Sequence, residues 1–357
     1  MKRFITIFGV ALCMLMGFFA TAQASTITTI GPVDNYGFLT GPDGSTWTYT
    51  AAYTEQYGEV TAAEISIYDN YHNLVGTLNE TFQLAETDLY VRDVEINSLV
   101  TRKFFNSDNN IEIMLFISVA TKDYTGRFYN SVFSLSEGGS THVCNVDGNQ
   151  VLAKNISTNN NDNYTMVFFR QYYDENNTLY YNYDVYGKAE YGTSQPVLKH
   201  TFEIPYQNIA ALNDPMPIYM MQSGKYTIDY IVAQYEKPFF DPSIPVYEEP
   251  VVNPDNHLVI TRYDNKFNQL SEVKIPMLQD EDPAFLYTFY YLGGLGGQND
   301  VILDYNGTGE IAFVITVDNY ETASDGSVYS YYLYDANGNK INTIAERGLG
   351  TIYMSNL

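Results

Sequence analysis

Four oxygen-bearing side chains alternate at Asp304, Asn306, Thr308 and Glu310. That spacing would string hard ligands along one loop and suit Ca²⁺. An EF-hand loop opening at Asp304 would need its closing glutamate at position 315, where Ile315 stands instead. A hairpin turn accounts for the run better, and Ca²⁺ is the one cofactor the sequence keeps in view. Histidine offers less. His72, His142, His200 and His257 share no metal-ligand spacing such as H-E-x-x-H, and no G-x-S-x-G elbow accompanies them; they read as surface or structural residues. The loop Gly293-Gly294-Leu295-Gly296-Gly297 lacks the Lys-Ser/Thr and the following helix that a phosphate cradle needs. Paired carboxylates can act as acid and base on a glycan. With 42 Asp and Glu in the chain, however, close pairs arise without meaning, and no catalytic residue is assigned.

Aromatic rings are the remaining chemically useful group, with 34 tyrosines and 20 phenylalanines. Exposed rings stack on sugar faces and anchor interfaces. Clusters such as Tyr172-Tyr173, Tyr180-Tyr181-Asn182-Tyr183 and Tyr329-Ser330-Tyr331-Tyr332 lie in strand-like runs. Side chains alternate between the two faces of a strand, so half of each cluster must fill a core.

The elements that would position these residues are strands. Five strong runs are rich in aromatic and β-branched residues, which suit a pleated surface. They are Trp47–Thr50, Ile111–Ile117, Tyr164–Phe169, Tyr226–Val232 and Ile311–Val317. Asn, Asp and Gly clusters separate them and supply close turns. The segment from Tyr206 to Leu212 has room for one short helical turn, and the fold class is all-β.

A hairpin recurs among these strands. It reads as a strand ending in Tyr-Asp, a polar turn, then a second strand: Tyr68-Asp69 to Leu74, Tyr263-Asp264 to Leu270, and Tyr334-Asp335 to Lys340. The Asp can accept backbone N–H bonds within the turn, and Asn-Gly suits its left-handed positions. Degenerate copies turn at Glu137-Gly138-Gly139 and run from Tyr180–Tyr186 to Val197–Ile204. The result is five units of at least three strands, beginning near residues 46, 111, 163, 225 and 309. Small antiparallel sheets repeated in this way predict a β-propeller-like architecture of about five or six sheets, stacked because one sheet alone cannot bury both faces. The strand Thr351–Met354 would help close it. The alternative is two tandem β-sandwiches, divided by the Pro-rich stretch from Pro238 to Pro254.

The Tyr-Asp-Asn-Gly hairpins, with the phrase Phe105-Asn106-Ser107-Asp108-Asn109-Asn110-Ile111-Glu112, resemble secreted β-propeller-like repeat proteins of Gram-negative bacteria that export through a C-terminal sorting domain. The resemblance covers most of the chain and is compositional. It implies exposure and binding rather than a reaction. The chain departs from that pattern at Leu357, where no separate sorting domain stands, so a truncated or a periplasmic protein is the expectation.

Export is written at the other end. Met1-Lys2-Arg3 precedes an apolar run from Phe4 to Ala20, and Ala22-Gln23-Ala24 places small residues at −3 and −1. These are the parts of a signal peptide, residues 1–24, cleaved before Ser25. No basic stop-transfer cluster follows the run, and bulky Leu12 before Cys13 argues against lipid attachment. No later segment is apolar for long enough to span a bilayer. Residues 25–357 then form one domain, with 238–254 as an excursion. The net charge of −24 repels phosphate and anionic lipid, so no nucleic-acid partner is expected, and no membrane insertion follows signal removal. After cleavage only Cys144 remains, which rules out an intramolecular disulfide and suits a buried structural thiol.

The expectation is therefore an exported, non-catalytic interaction or surface-structural module that binds protein or glycan; it is expected to be secreted or at the cell surface, with the periplasm as the alternative. Two other classes stand beside it. One is a carbohydrate-active hydrolase or lyase with paired carboxylates next to exposed aromatics. The other is a Ca²⁺-dependent adhesin using Asp304 to Glu310.

Overall fold

The computed structural model describes residues 36–56, 59–82, 84–122, 126–136, 139–155, 164–209, 217–224, 227–238, 255–276, 288–292, 302–304, 311–319, 328–335, 337 and 339–346. The expected signal peptide, the stretch 239–254, the Gly293–Gly297 loop, Asn306, Thr308, Glu310 and the strand Thr351–Met354 lie outside the described residues.

The regular elements among the described residues are strands, apart from one 3-10 turn at Tyr206–Asn208, where the sequence leaves room for it. Among the described residues no helix is long and apolar enough to cross a membrane. Sheet 1 runs β1 (Tyr36–Thr40), β2 (Thr46–Gln56), β3 (Glu59–Tyr68) and β4 (Leu74–Thr81), in chain order. Sheet 2 holds β5 (Asp88–Ile96), β6 (Thr101–Arg102), β7 (Ile111–Thr121), β8 (Arg127–Ser136) and β9 (Gly139–Asp147), ordered β5-β7-β8-β9 with β6 beside β7. Sheet 3 is β10 (Asn149–Asn155), β11 (Tyr164–Tyr173), β12 (Leu179–Gly187) and β13 (Val197–Pro205). Sheet 4 is β14 (Ile218–Gly224), β15 (Thr227–Tyr235), β16 (His257–Tyr263) and β17 (Gln269–Pro276). Sheet 5 holds β18 (Thr288–Leu292), β19 (Ile302–Asp304), β20 (Ile311–Asn319), β21 (Val328–Asp335) and β22 (Lys340–Glu346), with β19 beside β20.

The described residues are thus all-β, a repeat of five small antiparallel sheets, which is compatible with a propeller-like or a β-sandwich arrangement. Each strong run lies in the strand beside the sheet's first edge strand, preceded in the chain by one strand in sheets 1, 3 and 4 and by two in sheets 2 and 5, so every repeat begins earlier than the sequence places it. The overlooked strands β1, β5, β10, β14 and β18 lie at the sheet edges. A strand such as Tyr36-Gly37-Phe38-Leu39-Thr40 buries only its one leucine and has no continuous apolar run to reveal it. The strands on either side of the Pro-rich stretch, β15 and β16, pair directly, with Tyr235 opposite Leu258, so they belong to one sheet.

By contacts the chain divides into two compact units. Met1–Val100, Ile113–Arg127 and Phe133–His142 make the first; Thr101–Glu112, Phe128–Val132 and Val143–Leu357 make the second. In the first, sheet 1 buries one face through Trp47, Tyr53, Ile65, Ile67 and Leu78. In the second, sheets 3 and 4 share a core in which Val167, Val185 and Phe202 meet Ile228, Tyr230 and Val232.

The Tyr-Asp hairpin turn has the same geometry in its copies at Asp69, Asp264 and Asp335. Asp69 Oδ1 accepts from the N–H groups of Tyr71 and Asn73, both at 2.8 Å, while Oδ2 accepts from Asn73 Nδ2 at 3.0 Å. Asp264 and Asp335 repeat all three bonds with Lys266 and Asn268, and with Asn337 and Asn339. A further copy at Asp174, with Thr178 in place of the second Asn, joins β11 to β12 and escaped the sequence analysis. These bonds hold the Asp carboxyls below the usual range, led at Asp69 and Asp264 by the Asn amide and at Asp174 by the Thr178 N–H. The fourth turn residue is left-handed: His72 at φ 62°, Asn177 at 62° and Phe267 at 64°.

Such a φ is strained for a residue bearing a bulky Cβ substituent. Phe267 accepts it because its ring stacks between His200, at 4.5 Å, and Tyr230, at 5.0 Å. His72 is exposed and has no such packing to hold it. His72→Gly is therefore expected to stabilise the protein by a few tenths to about 1 kcal/mol. Phe267→Gly should destabilise it by roughly 2 kcal/mol through loss of the half-buried ring. Urea unfolding of the two variants would give the same sign if the turn strain alone mattered.

Candidate functional site

Of the residues the sequence nominates for Ca²⁺, Asp304 closes β19 opposite Ile311. Its proposed partners Asn306, Thr308 and Glu310 fall outside the described residues. Among the described residues no group of three or more His, Cys, Asp and Glu is arranged to hold a metal ion. The histidines sit in structural settings. His72 is in a turn, His142 lies edge-on to Phe133, His200 stacks on Phe267, and His257 opens β16 with Nδ1 3.0 Å from Glu236 Oε2.

The most unusual ionisable group is one the sequence did not single out. Glu112 lies within the apolar run of β7 and is 0% exposed. Lys103, at φ 55°, turns the preceding loop so that three successive N–H groups converge, forming a concave donor nest. Phe104 donates to Glu112 Oε2 at 3.0 Å; Phe105 and Asn106 donate to Oε1 at 3.0 and 2.9 Å. Thr101 Oγ1 adds a fourth bond at 2.8 Å. Burial outweighs these donors and pushes the carboxyl up to about 6. With all four lone-pair directions occupied, Glu112 anchors the loop and its two buried phenylalanines. It is a structural carboxylate. Cys144 is buried as expected, its thiol pushed up to about 12 by burial and then by Glu112.

Buried aspartates elsewhere are paired with arginine. Asp229 accepts from Arg262 Nε at 2.9 Å and Nη2 at 2.5 Å, and from Ser223 Oγ at 2.7 Å. Asp88 takes Arg127 Nη2 at 2.7 Å. Asp184 takes Arg170 Nε and Thr201 Oγ1, both at 2.6 Å.

The last of these pairs lies on a polar face of sheet 3. Register sets Arg170, Asn182 and Glu203 in one row across β11, β12 and β13. The next row begins with Tyr172 and Tyr180, whose rings stack at 5.5 Å, and Tyr172 Oη donates to Glu203 at 2.6 Å. Asn182 is 5% exposed and its Oδ1 has no partner. Asp184 and Glu203 stand diagonally on neighbouring strands, a placement that leaves their backbones about 7–8 Å apart. This is where paired carboxylates do occur, but Asp184 is committed to Arg170 and Thr201.

Sheet 1 offers a different kind of surface. Strand alternation sends Leu39, Trp47, Ile65 and Leu78 inward, and Tyr36, Phe38, Thr48, Thr50, Ser66 and Thr77 to the other face. Every described position of that second face is exposed or half-exposed, with Tyr36 at 73% and Phe38 at 70%. In sheets 2, 3 and 4 the central strands β7, β12 and β15 are instead buried on both faces. The tyrosine counts of the sequence could not distinguish these settings; the distinction lies in which strand edges a core.

No protein-family model and no curated protein matches the chain. Among the solved structures that overlap with it are exo-β-1,3-galactanases from Clostridium thermocellum and from Phanerochaete chrysosporium, the latter with β-1,3-galactotriose. Identities are 10% and 12%, and the overlaps cover 90% and 89% of this chain, each with a TM-score of 0.27. The chain spans 62% and 64% of their lengths, and a likeness this low carries no argument about fold or activity.

Proposed function

We propose that the protein is an exported, non-catalytic interaction module that binds a glycan or a protein through the open face of sheet 1. The observation that supports this reading is the one-sided burial of that sheet, which leaves Tyr36 and Phe38 standing in solvent above a row of hydroxyls. Large apolar rings held outward on a rigid sheet are contact groups that folding does not use. The signal peptide supplies the route of export, and the acidic surface turns the choice of partner away from nucleic acid. The strongly placed buried carboxylates Glu112, Asp184 and Asp229 are occupied by structural partners.

Thermal melting of residues 25–357 against a panel of polysaccharides, paired with capture of envelope proteins, tests this reading. A partner that binds only the folded state raises the melting temperature by mass action. The expected result is a shift, or a captured protein, that is lost in Tyr36→Ala/Phe38→Ala. Binding that survives this double variant would sink the proposal.

The carbohydrate-active enzyme reading retains one supporting feature, the placement of Asp184 and Glu203 on one face beside Tyr172 and Tyr180. It predicts release of reducing ends from a polysaccharide, abolished by Glu203→Gln. The interaction-module reading predicts none.

A further inference from the structure

We infer that the open face of sheet 1 seats a neutral polysaccharide chain; the inference rests on the interaction-module reading and names its ligand class. Charge is the first argument. The protein carries a net charge of −24, yet among the described outward positions of this face the carboxylates are Glu64, in the middle of β3, and Glu59, at its end beyond the bulge, and neither lysine nor arginine occurs. A cationic partner finds stronger attraction elsewhere on so acidic a molecule, and a polyanion is repelled by the whole. An uncharged ligand meets neither obstacle.

Hydrogen-bonding chemistry is the second argument. Protein partners favour an interface with an apolar centre. Here the centre is hydroxyl: register sets Thr50 between Tyr36 and Ser66, and Thr48 between Phe38 and Tyr68. Ser66 Oγ and Thr77 Oγ1 lie 3.1 Å apart on the neighbouring strands. A hydroxyl both donates and accepts, as a sugar hydroxyl does, so the two sets match without any buried charge.

Ring geometry is the third. Tyr36 and Phe38 are two residues apart on an edge strand, about 7 Å along its length, so successive sugar rings of one chain can meet successive aromatic rings. Four strands make the face roughly 14 Å across. It is backed by the core on its other side, which keeps the platform pre-organised and lowers the cost of binding.

Affinity electrophoresis of the full chain, through gels holding a soluble neutral β-glucan, a neutral mannan or anionic alginate, tests the inference. Retardation by at least one neutral polymer and none by alginate is expected. Tyr36→Ala/Phe38→Ala should weaken that retardation by roughly tenfold or more. Tyr191→Ala, which removes a ring 99% exposed elsewhere, should leave it unchanged. Neutral-polymer binding indifferent to these rings would overturn the inference. So would an absence of neutral-polymer binding; if the rings then still govern capture of an envelope protein, the ligand class falls and the module reading stands. Loss of both would end both.

Discussion

Glu112→Ala should be among the most damaging single substitutions in this protein, costing about 4 kcal/mol of stability. It strands three consecutive backbone N–H groups and the Thr101 hydroxyl without an acceptor. Each buried unsatisfied donor costs roughly 1–3 kcal/mol. The sum is offset in part because the carboxylate no longer has to be buried. Glu112→Gln keeps one acceptor oxygen and should lose about half as much. The pH dependence separates this from a plain packing defect. Burial raises the folded carboxyl from 4.5 to about 6, so the folded state holds this proton more tightly than the unfolded chain. That contribution is fully present below about 4.5 and is lost as pH rises through about 6. Relative to Glu112→Gln, the wild type should therefore gain about 2 kcal/mol on acidification from pH 7 to pH 4.5. Urea unfolding at several pH values measures it. A constant difference between the two proteins would show that the carboxyl titrates alike in both states.

A similar loss is expected at Arg262. Its guanidinium satisfies the buried Asp229 through two nitrogens. Arg262→Ala leaves that carboxylate uncompensated and should cost about 3–5 kcal/mol. Asp229→Leu/Arg262→Met, which removes both charges at similar volume, should recover most of the loss, because a buried pair contributes little over a well-packed apolar one. A mild single variant, or a double variant no better than the single, would mean that the pair is solvated rather than structural.

Much of the fold is legible in the sequence, because a central strand buried on both faces leaves a continuous apolar run. Ile111–Ile117 is such a run, and β7 starts with it and continues to Thr121. The edge strands are hidden for the converse reason. β1 has Leu39 alone buried, and nothing in its composition separates it from a loop. The Tyr-Asp turns can be read because their bonds are local, spanning two to four residues. The role of Glu112 cannot, since its donors become neighbours only when the loop folds back over β7. The signal available was a carboxylate inside an apolar run, where strand alternation alone would turn it toward solvent. The candidate surface was invisible for a related reason. Tyr36 and Phe38 look like core aromatics until the strands order themselves and show one face of sheet 1 open.

That openness is the point on which the functional account turns, and it can be measured without knowing any ligand. Thermal unfolding of Tyr36→Ala/Phe38→Ala should match the wild type to within about 1 °C, as expected of two exposed side chains that contribute little to stability. A fall of roughly 5 °C or more would mean that the rings are packed within the folded protein, since truncating buried aromatics costs several kcal/mol. Sheet 1 would then have no free face, and the account of its function would be wrong.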